Sequence, residues 1–336
     1  MEQSTEDLIK EFYSKPYYLS YSGLNKLLYS PGLFFRHYVL NQREDKLESY
    51  LVEGKVTHCL LLEDGSFDEK FILMPSSLPS GNTRTVIDKV YAHMLEATKD
   101  GAMAPTNLDA YSTTIVDVLK EINLHQKLKT DQQRVEKIIT DETKSYWEFL
   151  KIKGDKDLID SDVLQSCREA VDAVKADPTA CTLLGLFISE MDNVEIKNEQ
   201  YFQTETDKHF GLKGFTDSVK IDHTATTIYI NDLKKTNKTL DDFQETIEFY
   251  NYWSQAAIYD RLIQANFYDL IVEGYKVVFN FVVVDKYLQV YCFEVSPETM
   301  QNWQIRLEEK LNEASWHYES KNYKLPYKFA AGKVIL

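Results

Sequence analysis

Asp232 and Lys234 stand two residues apart at the end of an alternating segment, 226–233 (TTIYINDL). In a strand, residues i and i+2 point to the same face, so a carboxylate and an ammonium lie side by side. Asp217, in GFTDSV on the preceding alternating segment, brings a second carboxylate alongside if the two strands pair. Two carboxylates are what a hard divalent cation needs, because Mg²⁺ takes oxygen ligands and keeps several of its waters. Such a cation polarises a phosphodiester and lowers the pKa of a bound water. Lys234 could position or deprotonate that water, or offset phosphate charge in the transition state.

Spacing alone does not single out this triplet. The chain holds eight Asp/Glu-x-Lys triplets, Glu53-Gly-Lys55 and Glu195-Ile-Lys197 among them, and most must be solvated surface charges. Further features converge on Asp232. Gln255 and Tyr259 are four apart on the following helical segment and so share a face. Gly54 and His58 stand four apart on an N-terminal helical segment.

The elements that must position these groups are legible in outline. Residues 1–65 read as helical, with Ser20 a capping candidate and Ser30-Pro31 a stronger start signal. A longer helix is expected from about Glu44 to Glu63, with Val52, Val56, Cys59 and Leu60 near one face. Residues 67–75 read as a short strand, followed by a Ser/Pro/Gly-rich boundary. From about Thr85 to Leu184 the pattern is mostly helical, with a stop at Asp177-Pro178. Near Asn193 the texture changes to short alternating segments, giving expected strands at 194–206, 209–221 and 226–233. Thr239 to Asp242 has the form of a capping box, opening one long helix over 240–265. Strands at 275–284 and 287–294 and a helix from Ser296-Pro297 complete an α/β core.

Bulk properties bound the rest. Lys and Arg number 38 against 53 Asp and Glu, for a net charge of −15. That weighs mildly against nucleic-acid binding, although a folded protein can gather its cations in one channel. Hydrophobic residues make up 43%, so the core is not limiting. No run approaches the ~20 apolar residues of a membrane span, and the first residues carry no secretory pattern, so a cytoplasmic protein is expected. The four cysteines, Cys59, Cys167, Cys181 and Cys292, form no close pair. Zinc is not expected.

In this order the motifs resemble the RecB-type branch of the PD-(D/E)XK nucleases, and within it the RecE-like exonucleases of phages and prophages. YYLSYSGLNKLLYSPGLFFRHYV resembles the family's opening, and EGKVTHCLLLE its histidine segment. The stretch leading into Asp177-Pro178-Thr-Ala also has its counterpart there. NEQYFQTETDKHFGLKGFTD, INDLKKT and YWSQAAIYD resemble the three segments around the catalytic centre. The resemblance implies a restriction-endonuclease-like core of a mixed sheet flanked by helices, with a helical N-terminal half. It implies Asp217 and Asp232 as metal ligands, with the Leu233 carbonyl added, Lys234 as catalytic lysine and His58 as a further ligand. Gln255 and Tyr259 would support the site or touch the DNA backbone, and Glu199 matches an acidic position ahead of the strands.

The implied activity is Mg²⁺-dependent (or Mn²⁺-dependent) resection of double-stranded DNA ends, 5′ to 3′, in recombination. A ring-like homo-oligomer and a single-strand annealing protein as partner come with it. An endonuclease or flap nuclease with the same core, and an idle scaffold that binds DNA ends or a protein, are the alternatives. The iron–sulfur branch needs a downstream cysteine cluster that is absent here, so no Fe–S cluster is expected. Three positions depart from the pattern. Phe215 stands where a basic residue is usual, leaving Lys213 to supply that charge from a different place, Thr216 replaces a proline, and Lys235 occupies a Thr-rich position. The expected organisation is 1–75 as the N-terminal helical part with the His motif, 76–190 as a mainly helical insertion or cap, and 191–336 as the α/β catalytic core.

Overall fold

A computed structural model describes residues 4–42, 49–63, 65–75, 77–99, 105–186, 193–330, 332 and 334, with the side chains of 49–51 left aside. The chain divides into two compact units, one made of Met1–Phe67 and Leu164–Leu336, the other of Asp68–Val163.

The first unit is built on a mixed sheet. Strand β1 (Tyr18–Leu19) belongs to it, as do β4 (Val194–Thr204), β5 (Gly211–Asp222), β6 (Thr227–Lys235), β7 (Lys276–Val284) and β8 (Val290–Val295). The order across the sheet is β4-β5-β6-β7-β8. Pairs β4–β5, β5–β6 and β7–β8 are antiparallel, whereas β6–β7 is parallel. The parallel pair needs a crossover, and the residues between Lys235 and Lys276 supply it with helices Phe243–Phe249 and Tyr252–Asn266.

Helices cover both faces. On one, Ile228, Ile230, Phe279, Phe281 and Val283 pack with Ala256, Ala257, Leu262, Leu307 and Leu311. On the other, Leu233, Val282 and Val284 meet Leu61, Leu62, Val171, Val174, Ala180 and Leu184. Burial from both sides explains why β7 reads as a nearly unbroken apolar run.

The second unit holds helices Gly81–Thr98, Ser112–Glu121, Asp131–Ile138 and Asp141–Lys153, and a parallel pair of short strands, β2 (Phe71–Leu73) and β3 (Asp157–Ile159). Its core centres on Trp147, with Val86, Ile87, Val90, Ile115 and Leu119. The Trp147 indole N–H donates to the Thr106 carbonyl at 2.9 Å.

The expected mixed α/β architecture with a helical N-terminal half is observed, and most caps fall where the sequence puts them. The hydroxyls of Ser20, Ser30 and Ser296 accept from Gly23, Leu33 and Thr299. Several details differ. Residues 67–70 form a helical turn, so the expected strand shrinks to β2. Strand β3 was not expected, its three residues being too few to show a period. Asp177-Pro178 does end a helix, but Asp177 also caps the next one through Ala180 N–H, with Pro178 at its first position. The single helix expected over 240–265 is interrupted at Asn251, whose φ is +56°, which splits it in two. The helix carrying His58 runs Ser49–Leu62, and the stretch 44–48 of its expected span lies outside the described residues.

Candidate metal centre

The centre sits in a fork of the sheet. Strand β5 pairs with β6 from Asp222 back to Ser218, opposite Asn231, and with β1 only at Gly211 and Leu212. Along that edge, residues 213–217 have no strand partner among the described residues. Asp217 lies in this gap, and its Oδ2 accepts the Leu233 N–H at 2.7 Å, taking the place of a ladder carbonyl. Backbone polar groups must be paired when buried, so the side chain both closes the fork and is fixed by it.

Three ligand-type side chains gather there. His58, Glu199 and Asp217 bring a nitrogen and two carboxylate oxygens within 4.8 Å of one another. His58 Nδ1 is 3.4 Å from Glu199 Oε1 and 3.4 Å from Asp217 Oδ1. Its Nε2 is 3.0 Å from the Leu233 carbonyl oxygen, to which it donates. Glu199 reaches the cluster from a left-handed backbone position, φ +46°. For a residue other than glycine that conformation costs on the order of 1–3 kcal/mol.

Asp232 and Lys234 lie beside this cluster on β6. Asp232 is fully buried, and Lys234 Nζ stands 2.5 Å from its Oδ2 as an ion pair. Oδ2 is thus partnered by the ammonium, whereas Oδ1 is buried with no hydrogen-bond donor. A buried carboxylate in that condition is costly. A cation beside Oδ1 would satisfy it, and the donors His58, Glu199, Asp217 and the Leu233 carbonyl, with Asp232 adjoining, fit a divalent metal.

Burial prevails at the two aspartates, whereas neighbouring charges prevail at His58 and Lys234. Burial lifts the Asp232 carboxyl to about 6 against the pull of Lys234, and it raises Asp217 as well. For His58, burial presses the imidazole down, but Asp217 and the Glu199 contact outweigh it and carry the pKa up to about 9. Lys234 is likewise opposed by burial and held as an ammonium by Asp232 and Asp217.

The remaining candidates divide. Gln255 donates to the Tyr259 hydroxyl at 3.0 Å, while its own Oε1 is buried without a partner. Burial raises the Tyr259 phenol, and the charges of Asp217 and Asp232 add to the shift, so the hydroxyl lies in their field. Lys213 sits half-buried opposite Gln203, four residues from Asp217, and makes no ion pair with the cluster. Phe215 is 58% exposed, so the position expected to be basic carries an open aromatic ring instead.

Two contributors escaped the sequence reading. Glu53, set aside with the surface triplets, pairs with Lys235 at 2.6 Å. Tyr252 lies under Lys234, whose Nζ is 4.7 Å from the ring centre. The first carried no signal in the sequence, since Glu53 is five residues from His58 and so lies on a different face of their helix. The second follows only from the break at Asn251, which no sequence pattern announces.

No family model and no curated protein matches the chain. Among solved structures, a provisionally named exonuclease from Eubacterium rectale aligns over 96% of this chain and 88% of its own, at 12% identity and a TM-score of 0.46. Likeness at that level carries no argument, and the chemistry rests on the residues just described.

Proposed function

We propose that this protein is a divalent-metal-dependent deoxyribonuclease of the PD-(D/E)XK type, acting as an exonuclease on double-stranded DNA ends. The observation that carries the reading is the cluster itself. Fully buried Asp232, paired through Oδ2 with Lys234 at 2.5 Å and with Oδ1 unpartnered, stands beside His58, Glu199 and Asp217 in the fork between β5 and β6.

His58, Asp217, Asp232 and the Leu233 carbonyl would hold the cation, with Glu199 at its edge. A divalent ion there supplies Lewis-acid polarisation of a phosphodiester and a water of lowered pKa. The chain's own residues do the rest. Lys234, an ammonium on a half-rigid strand end, orients the attacking water and offsets charge building on the phosphate oxygens. Tyr259 and Gln255 fix the wall behind Asp217. The hydrogen bond from Leu233 N–H to Asp217 keeps that carboxylate from swinging as substrate enters.

The RecE-like assignment adds 5′-to-3′ polarity, a homo-oligomeric ring and an annealing-protein partner to this reading. These three come with the family resemblance and not with the geometry of the centre. An endonuclease or flap nuclease would use the same centre and differ only in access.

The test is an end-labelled linear duplex beside the same DNA as a covalently closed circle, each with and without Mg²⁺ or Mn²⁺. The proposal requires metal-dependent loss of the linear DNA and survival of the circle, with the label position giving polarity. Cutting of both forms removes the exonuclease label and keeps the centre. Cutting of neither with either ion leaves a DNA-end-binding scaffold.

A further inference from the structure

A line of aromatic rings leads from the centre to the surface. Lys234 Nζ lies 4.7 Å from the Tyr252 ring centre. Tyr252 stacks on Tyr250 with centroids 5.4 Å apart and planes 26° from parallel. Tyr250 meets Phe249 edge to face at 4.9 Å, and Lys238 Nζ stands 5.4 Å from the Phe249 ring centre. The outer rings are open, Phe249 being 72% and Tyr250 40% exposed.

A second cation and ring adjoin them. The Lys286 backbone N–H donates to the Lys238 carbonyl at 3.4 Å, and Lys286 Nζ lies 4.9 Å from the Tyr287 ring centre. Tyr287 is 65% exposed. Asp242 is close enough to feel both lysines, but its carboxylate is engaged by the Thr239 hydroxyl at 2.8 Å.

Neither Phe249 nor Tyr250 belongs to the hydrophobic core, and contiguous exposed apolar surface marks candidate contact sites. Rings with interleaved lysines, continuous with a phosphodiester-cleaving centre, match one ligand chemistry. Unpaired bases stack on aromatic faces while their phosphates meet the ammonium groups. A paired duplex end does not offer its base faces in this way. In a chain of net charge −15, stacking also gives affinity that bulk charge does not.

Resting on the nuclease reading of the centre, we infer that Phe249 and Tyr250, flanked by Lys238 and Lys286, form a stacking platform for single-stranded DNA that feeds the strand past Tyr252 to Lys234. The substrate then enters this side of the centre as unpaired nucleotides, and a duplex end must fray to be engaged.

The experiment measures binding without cleavage, in EDTA, so it is independent of whether the centre hydrolyses DNA. Fluorescence anisotropy is recorded with a labelled 15-nucleotide oligo-dT, an abasic oligonucleotide of equal length and a blunt duplex. The proteins are the wild type, Phe249→Ala/Tyr250→Ala, Phe249→Trp and Lys238→Gln/Lys286→Gln, each checked for an unchanged melting temperature. We expect the double alanine variant to bind oligo-dT at least about fivefold more weakly, with abasic and duplex binding unchanged and Phe249→Trp like the wild type. The lysine variant should lower the salt slope by roughly 0.7 for each phosphate no longer neutralised. Equal binding of oligo-dT by the wild type and the double alanine variant overturns the inference. So does an equal loss on the abasic strand, or a change in oligomeric state with single-strand affinity intact, which would make the platform an interface between copies.

Discussion

His58 Nε2 and the Leu233 carbonyl oxygen lie 3.0 Å apart, joined by a single proton. Both are groups that ligate divalent cations, yet in this arrangement each occupies the other. Ligation by the ring requires the imidazolium to lose a proton, and against the effect of burial the Asp217 and Glu199 carboxylates beside Nδ1 keep it charged up to about pH 9. Metal binding is therefore expected to release a proton at pH 7 and to tighten as pH rises toward 9. Calorimetric titration with Mn²⁺ in two buffers of different ionisation enthalpy reads the release directly. Affinity independent of pH over that range would contradict it. In the metal-free protein the sign is opposite. The His58 pKa is raised on folding, so its contribution is full below about 6.5 and fades as pH rises through about 9.

The Asp232–Lys234 pair should behave as a buried ion pair whose members depend on each other. Removing only the cation, in Lys234→Met, leaves a fully buried carboxylate and is expected to cost about 3–5 kcal/mol. The double variant Asp232→Asn/Lys234→Met should recover much of that loss. Urea unfolding of both variants makes the comparison, and strictly additive losses would count against the pairing.

Glu199 holds its place at a backbone cost. Replacement by glycine relieves the φ of +46°, so Glu199→Gly is expected to be as stable as the wild type or up to about 1 kcal/mol more stable. The same change removes a carboxylate from the cluster and should weaken Mn²⁺ binding about tenfold. A variant that is less stable and binds metal normally would show that Glu199 serves the fold alone.

Gly214 is required by its neighbour. A Cβ there would meet Tyr259 Cε1 at 2.7 Å, and that ring is buried and tied to Gln255. Gly214→Ala is expected to cost about 1–3 kcal/mol through displaced packing, lowering the melting temperature by several degrees. An unchanged melting temperature would mean that Tyr259 is free to move.

How far the sequence carried the account depends on the element. The strand bearing Asp232 and Lys234 was legible because its apolar residues alternate and its polar pair falls at the end. His58 and Glu199 were drawn in by resemblance, since neither a lone histidine nor an acidic residue on a strand announces a long-range contact. The fork that isolates Asp217 was not legible. It arises because β1 and β6 share one edge of β5 without meeting, a tertiary fact with no local signature. The helix break at Asn251 hid for a different reason. Asparagine tolerates φ above zero, but the flanking residues suit a continuous helix; in the structure the Trp253 indole N–H donates to Asn251 Oδ1 at 3.2 Å and the Ser254 N–H to its carbonyl at 2.9 Å. Strand β3 was too short to show a period.

Hydrolysis of DNA by this cluster with a divalent ion is decided by following cleavage of a labelled linear duplex against Mg²⁺ concentration for the wild type, Asp232→Ala and Lys234→Ala. Saturable, Mg²⁺-dependent cleavage by the wild type and loss of at least about 100-fold in both folded variants is the predicted result. Cleavage that persists in either variant, or that needs no metal, would place the chemistry elsewhere and contradict the account.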